Sequence, residues 1–494
     1  MLSRSISAGP FVPSFEPPPP AEGTASSTAA GTRPESTAAV APVHAVGRSG
    51  PSTFPGLAVC VEDARQAALV PSDGPPDPEA FAALRARLEK AKAALPPAQR
   101  RAVADPLLRT LDRLGAKGFD RLLQQDPERT GPARLLLDLA QAVLQAGEGY
   151  QPRATGALQE VVSDLYDGFL SEEDRHGVKP PDRGVVPPLV RWGDADAGPY
   201  TWPVTAAAEM GAGAGVVSLP AANASGGLLA WPALAHETAG HDLLAADSGL
   251  KDELARKVRE RLLAGKMPPA VADYWADRID ETASDVLGVM NMGPAAAVGL
   301  VGYFRALNGA YSGTAALRNV GAEEDPHPAD IARAYLAEET VRLLSFSGAN
   351  GWADRLEKEA DRDLGQIRLG DTPVTREVAR TSAAIVARTI VKERLRALEN
   401  HALGEIQDWG DDDEKIVGEL RAAMRSGDAA SVARSRGKGA YAAHAVAAAV
   451  YEAVERRGDP RVLQERMVAV LAEMHGKAST AGSPGALVVD GAPA

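Results

Sequence analysis

Trp231-Pro-Ala-Leu-Ala-His236-Glu237-Thr-Ala-Gly-His241-Asp242 sets two imidazoles and a carboxylate into a segment flanked by Leu228, Leu229, Leu243 and Leu244. Pro232 suits the first turn of a helix, and the pattern runs to Ala246 before Asp247-Ser248-Gly249 stops it. Most of this expected helix reads as core, with one polar patch. Buried polar groups need partners. A metal ion satisfies both imidazoles at once and gives the carboxylate a water to hold.

The spacing adds a condition. Histidines four apart on a helix lie about 40° apart around its axis and can share one ion. His236 and His241 are five apart, which on a regular helix is about 140°. Either the helix carries a one-residue π-bulge near Thr238 to Gly240, or the two are not joint ligands. Gly240, lacking a Cβ, marks where a distortion costs least.

A second cluster, Asp280-Glu281-Thr-Ala-Ser-Asp285, falls within another apolar helical pattern. Glu281 and Asp285 are four apart and share a face, where two carboxylates repel unless a cation lies near them. A division of labour resolves this, with Glu281 as third ligand and Asp285 accepting the free N–H of a ligating imidazole. The alternative is an exposed acidic stripe through Asp277, Asp280 and Glu281.

Together these residues resemble the gluzincin metallopeptidases, whose third ligand is the Glu of a Glu-x-x-x-Asp motif on a later helix. The longer His-Glu-x-x-Gly-His form is similar to that of the dipeptidyl peptidase III family. That family pairs it with an acidic-Glu-x-x-small-acidic motif, which Asp280, Glu281, Ser284 and Asp285 match. The resemblance is confined to these two motifs. It implies a zincin-like architecture and one Zn2+ per chain held by His236, His241 and Glu281. Glu237 would be the general base, Asp285 would orient a ligand histidine, and a peptide would be the substrate. For the oxyanion donor that such chemistry needs, His327 stands first, bracketed by Pro326 and Pro328, with Tyr311 and Tyr303 behind it. Arg333 is a candidate anchor for a substrate carboxylate. His44, His176, His401, His444 and His475 have no comparable company.

Around this centre the chain reads as mainly α, multi-helical and two-lobed, with a small β element beside the metal helix. Residues 1–55, rich in Pro, Ser and Ala, are expected as a disordered tail. A helical N-terminal lobe and linker follow over 56–195, with helices at 78–95, 97–114, 118–125, 132–146 and 156–169, and a Pro- and Gly-rich connection at 172–202. Residues 196–350 form the metal-binding catalytic core. Within it, 215–220 is expected as a strand that Pro220 restricts to an edge or an end. Such an edge would suit strand addition by an extended peptide, or would be purely structural. Helices are expected at 250–264, 269–290, 294–307 and 329–346. A helical C-terminal lobe spans 351–478, with helices at 375–409, 413–425, 439–457 and 460–475, and 479–494 is a flexible tail.

Composition sets the exclusions. A formal charge of −13 with no basic stripe speaks against nucleic acid. Cys60 is the only cysteine, which leaves His, Asp and Glu as metal ligands. Neither a signal-type apolar segment nor a membrane span is apparent, so a cytoplasmic protein is expected. A His-Asp phosphohydrolase using His236, His241, Asp242 and Asp285 is the rival hydrolase. It leaves Glu237 and Glu281 unused, and residues 196–250 hold no Lys or Arg for a phosphate. A helical scaffold with a coincidental motif is the alternative outside enzymes.

Overall fold

The computed structural model describes residues 51–481, apart from 72, 79, 172–174, 176, 184–185, 196, 428–439 and 457. The expected tails before residue 51 and after 481, with His44 and His176, lie outside the described residues. The chain is mainly α-helical, with two small three-stranded sheets among those residues.

Two apolar cores organise it. The smaller gathers helices Phe81–Ala91, Asp105–Gln125 and Pro132–Glu148 around Leu84, Leu107, Leu111, Phe119, Leu136 and Val143. The break expected between Leu114 and Gly118 is a kink at Gly115, with φ 60° and ψ 176°. The larger core takes most of the remaining helices, including Pro152–Leu170, which packs on Pro460–Ala481. It also takes a helix that the sequence reading missed, Leu57–Ala68, lying on helix Pro294–Tyr311. The expected tail therefore ends too late, because Phe54 is fully buried in this core.

The connection expected at 172–202 contains strands β1 (Leu189–Gly193) and β2 (Tyr200–Trp202). With β3 (Val216–Pro220) they form a sheet ordered β1-β3-β2, parallel on one side of β3 and antiparallel on the other. Of the two places open to a strand holding Pro220, an edge or a strand end, the end is the one observed, and β3 is the central strand. Pro220 is tolerated because it is the last residue, where its missing N–H ends the ladder. Strand addition to β3 is ruled out, since both its sides are paired and β2 is the outer strand.

The motif helix follows as Ala233–His236, a π turn over Glu237–Asp242, and Leu243–Ala246. Helix Leu250–Ala264 comes next. The single helix expected over 269–290 is two, Pro269–Asp277 and Ile279–Met292, broken at Arg278, with φ −104° and ψ 25°. The break has a use. The Arg278 guanidinium donates to the carbonyls of Ala322, Glu323 and Asp325, holding the loop that carries His327 against this corner.

Helices Pro294–Tyr311 and Asp330–Leu343 pack on Ile279–Met292 and help to wall the cleft beside the motif helix. A second sheet of β4 (Val320–Gly321), β5 (Ile367–Leu369) and β6 (Thr372–Val374), and helix Ala349–Asp361, were not foreseen. The helix expected over 375–409 stops at Lys392, and two 3-10 turns follow it. Helices Asp411–Ser426, Ala442–Arg456 and Pro460–Ala481 complete the fold. No described helix is long and apolar enough to cross a membrane.

Candidate metal centre

The π turn is where the five-residue spacing is absorbed. One extra residue in the turn brings His241 round to the side of His236, and the two rings meet edge to face with centroids 5.0 Å apart. Glu281, on the Ile279–Met292 helix, reaches between them. Its Oε2 lies 3.2 Å from His236 Nε2, and its Oε1 lies 3.6 Å from His241 Nε2. One ligand atom from each of the three residues falls within 4.8 Å of the others. Glu281 Oε2 is fully buried and makes no well-formed hydrogen bond, although nitrogens of His236, His327 and Arg333 surround it at 3.2 to 3.7 Å.

Gly240 serves this geometry differently from the expectation. A Cβ there would come within 2.2 Å of the Ser284 side chain and 2.5 Å of its Cα. The glycine is needed because the two ligand-bearing helices touch at this point. Gly288 does the same one turn further on, where a Cβ would lie 3.1 Å from the backbone nitrogen of His236.

Behind the ligands each imidazole has its own carboxylate. His236 Nδ1 is 2.9 Å from Asp285 Oδ1, and His241 Nδ1 is 3.2 Å from Asp280 Oδ1. Each carboxylate is placed to accept an Nδ1 proton, which leaves Nε2 of each ring facing Glu281. Asp285 stands against the His236 ring. Asp280 supplies a second such contact that the sequence reading did not assign, and Lys251 Nζ holds its other oxygen at 2.8 Å.

Arg333, the candidate anchor for a substrate carboxylate, lines the cleft but already has a partner. Its guanidinium forks onto Asp285 at 2.7 and 2.8 Å and lies over the Phe304 ring. A buried aspartate needs such a counter-charge, and Arg333 supplies it. Burial alone would lower the His236 pKa, yet Asp285 and Glu281 push it up to about 10. Burial alone would raise the Glu281 carboxyl, but the charges of His327, His241 and His236 hold it well below its ordinary value. The pocket is built for positive charge at its centre.

The remaining candidates line one cleft of about 850 Å³. Glu237 is buried, and the Thr201 hydroxyl of β2 lies 2.9 Å from its Oε2. His327 Nε2 stands 3.5 Å from Glu281 Oε2, while its Nδ1 lies 3.0 Å from Asp325 Oδ1, so the ring is held edge-on to the centre. Tyr303 is buried in the wall, where burial and the charges near Tyr311 and Glu237 raise its phenol. Tyr311 is 60% exposed and its hydroxyl lies 3.4 Å from the Ala68 carbonyl, which puts it at the rim.

Asp242, the residue that a His-Asp phosphohydrolase would need, is outside the ligand group. One of its oxygens accepts the Val204 N–H at 2.7 Å, on the far side of the helix. His444 is buried against Asp413 in the C-terminal helices, and His401 pairs with Glu405. No protein-family model, curated protein or solved structure matches this chain.

Proposed function

We propose that this chain is a zinc-dependent hydrolase of peptide bonds, with His236, His241 and Glu281 as ligands and Glu237 as general base. One observation carries the reading: two Nε2 atoms and a buried carboxylate converge across a π turn, with the base next in sequence to the first ligand. The donor set of two imidazoles and one carboxylate is the type that catalytic zinc sites use, with a position left open for water. When bound, zinc would supply Lewis acidity and bring the pKa of water towards about 7.

The chain's own residues do the rest. Glu237 takes a proton from the attacking water and returns it to the departing amine. His327, fixed by Asp325, presents Nε2 to the same space and can donate to the oxyanion. Asp285 and Asp280 keep both ligand rings in the right tautomer. For the substrate, helix Pro294–Tyr311 turns Ala296, Gly299, Leu300, Tyr303, Phe304 and Leu307 to the cleft, one helical face at three- and four-residue spacing. Such a wall suits apolar side chains of a peptide better than a phosphorylated or highly charged substrate.

The test combines metal content and turnover. Protein purified without chelators should carry one zinc per chain and cleave a mixed peptide library. Glu237→Gln should keep the zinc and lose cleavage by at least 100-fold, since general base catalysis contributes about 10² to 10⁴. Undiminished cleavage by that variant would remove Glu237 from the mechanism, and wild-type protein without stoichiometric zinc would end the proposal.

A further inference from the structure

We propose that Thr201 is a positioning residue for Glu237, through which strand β2 ties the setting of the base to the wall of the cleft. The inference rests on the hydrolase reading above. Successive side chains of a strand point to opposite faces. On β2, Tyr200 and Trp202 turn to the smaller core, where Asp138 Oδ2 accepts from the Tyr200 hydroxyl and from the Trp202 indole N–H, each at 2.7 Å. Thr201 turns the other way. Its hydroxyl oxygen, 3% exposed as a residue, lies 2.9 Å from Glu237 Oε2 and 3.0 Å from the Glu237 carbonyl.

A hydroxyl has one proton to donate, so it serves one of these oxygens at a time while its Oγ stays seated between them. That contact engages Oε2 and leaves Oε1 as the oxygen for proton exchange. The mount itself is stiff. Thr201 is paired with Val217 of β3, and Asp138 is buried and held by Arg191 of β1. Glu237 is thus set from both sides: by its own π turn, and by a strand anchored on the neighbouring core. A misplacement of about 1 Å at a catalytic group costs on the order of 100-fold in rate, so a single hydroxyl that fixes one carboxylate rotamer matters.

The experiment replaces the hydroxyl without changing the shape. Thr201→Val should keep zinc content, unfolding midpoint and KM within twofold of wild type, and lose at least tenfold in kcat. Thr201→Ser, which restores the hydroxyl, should recover most of that loss. Should the valine variant fail to fold, Thr201→Ala removes the same hydroxyl with no added methyl and takes its place. Crystal structures supply a readout independent of turnover: without the hydroxyl, the Glu237 carboxylate should leave its wild-type rotamer. That arm stands even if the protein cleaves no peptide, so failure of the hydrolase reading and failure of this inference are distinguishable. An unmoved Glu237, an unchanged kcat, or a serine variant as slow as the valine one overturns the proposal.

Discussion

At the scale of single residues, the two histidines of the proposed metal centre are held with unequal security. The Asp285 side chain behind His236 is fully buried and gripped twice by Arg333, whereas Asp280 behind His241 is 41% exposed, as is much of its partner Lys251. Water and salt weaken the second pair and hardly reach the first. Removing an outer carboxylate from a metal ligand costs about 10- to 100-fold in affinity. Asp280→Ala should fall at the lower end, with folding unaffected. Asp285→Ala should fall at the upper end and also destabilise the fold by about 3 kcal/mol, because it leaves the buried Arg333 with only Glu281 Oε2, at 3.7 Å, as a counter-charge. Chelator competition and urea unfolding measure the two effects. Equal losses from both variants would show that burial does not rank them. The sequence announced Asp285 through its four-residue spacing from Glu281. It could not announce Arg333 as the partner, because that contact depends on how helix Asp330–Leu343 crosses Ile279–Met292.

At the scale of elements, the motif helix was legible because its spacing left few options: two histidines five apart share one side of a helix only with an extra residue in the turn, and the π turn over Glu237–Asp242 provides it. What was not legible is how closely its neighbour approaches. Gly240 reads in sequence as a place for unusual torsions, yet its φ is not positive and its real duty is contact with Ser284. Strands β1 and β2 were hidden for a related reason. They are short and sit among prolines and glycines, so only pairing with β3 makes them strands. Gly240→Ala therefore makes a direct test of the element-level geometry. Its methyl cannot fit against the Ser284 Cα, and the two helices must separate, drawing Glu281 away from both imidazoles. Zinc affinity should drop by at least tenfold and stability by about 1 to 3 kcal/mol, the usual cost of overpacking. A double variant with Ser284→Gly should recover part of both. A Gly240→Ala protein with wild-type zinc affinity would mean the helices have slack that the structure does not show.

At the scale of the whole molecule, the larger core is closed by segments far apart in sequence. Residues just before helix Leu57–Ala68 clip onto helix Ala349–Asp361: Glu359 Oε2 accepts from the Ser52 hydroxyl and the Thr53 N–H, while its Oε1 meets Arg305. Asp363 takes the other side of the Arg305 guanidinium, and Phe54 seals the corner against Trp352. This closure escaped a reading that placed residues 51–55 in a tail, because one phenylalanine among prolines and serines carries no periodic signal. Phe54→Ala should cost about 3 to 5 kcal/mol, the range for emptying a buried aromatic site. The pH dependence follows from Glu359. Burial alone would raise its carboxyl, but Arg305, the Thr53 N–H and Arg362 hold it below the ordinary glutamate value. A carboxyl with a depressed folded pKa contributes stability that is present above its unfolded value, about 4.3, and lost as pH falls below that towards the folded one. Urea midpoints of the wild-type protein should therefore drop steeply from pH 5 to pH 3. Glu359→Gln should start about 3 kcal/mol less stable at pH 7, because Arg305 loses one buried partner, and should fall less steeply over the same acid range. Wild-type and variant curves running parallel through that range would show that the closure does not titrate, and that the acid sensitivity of the fold lies elsewhere.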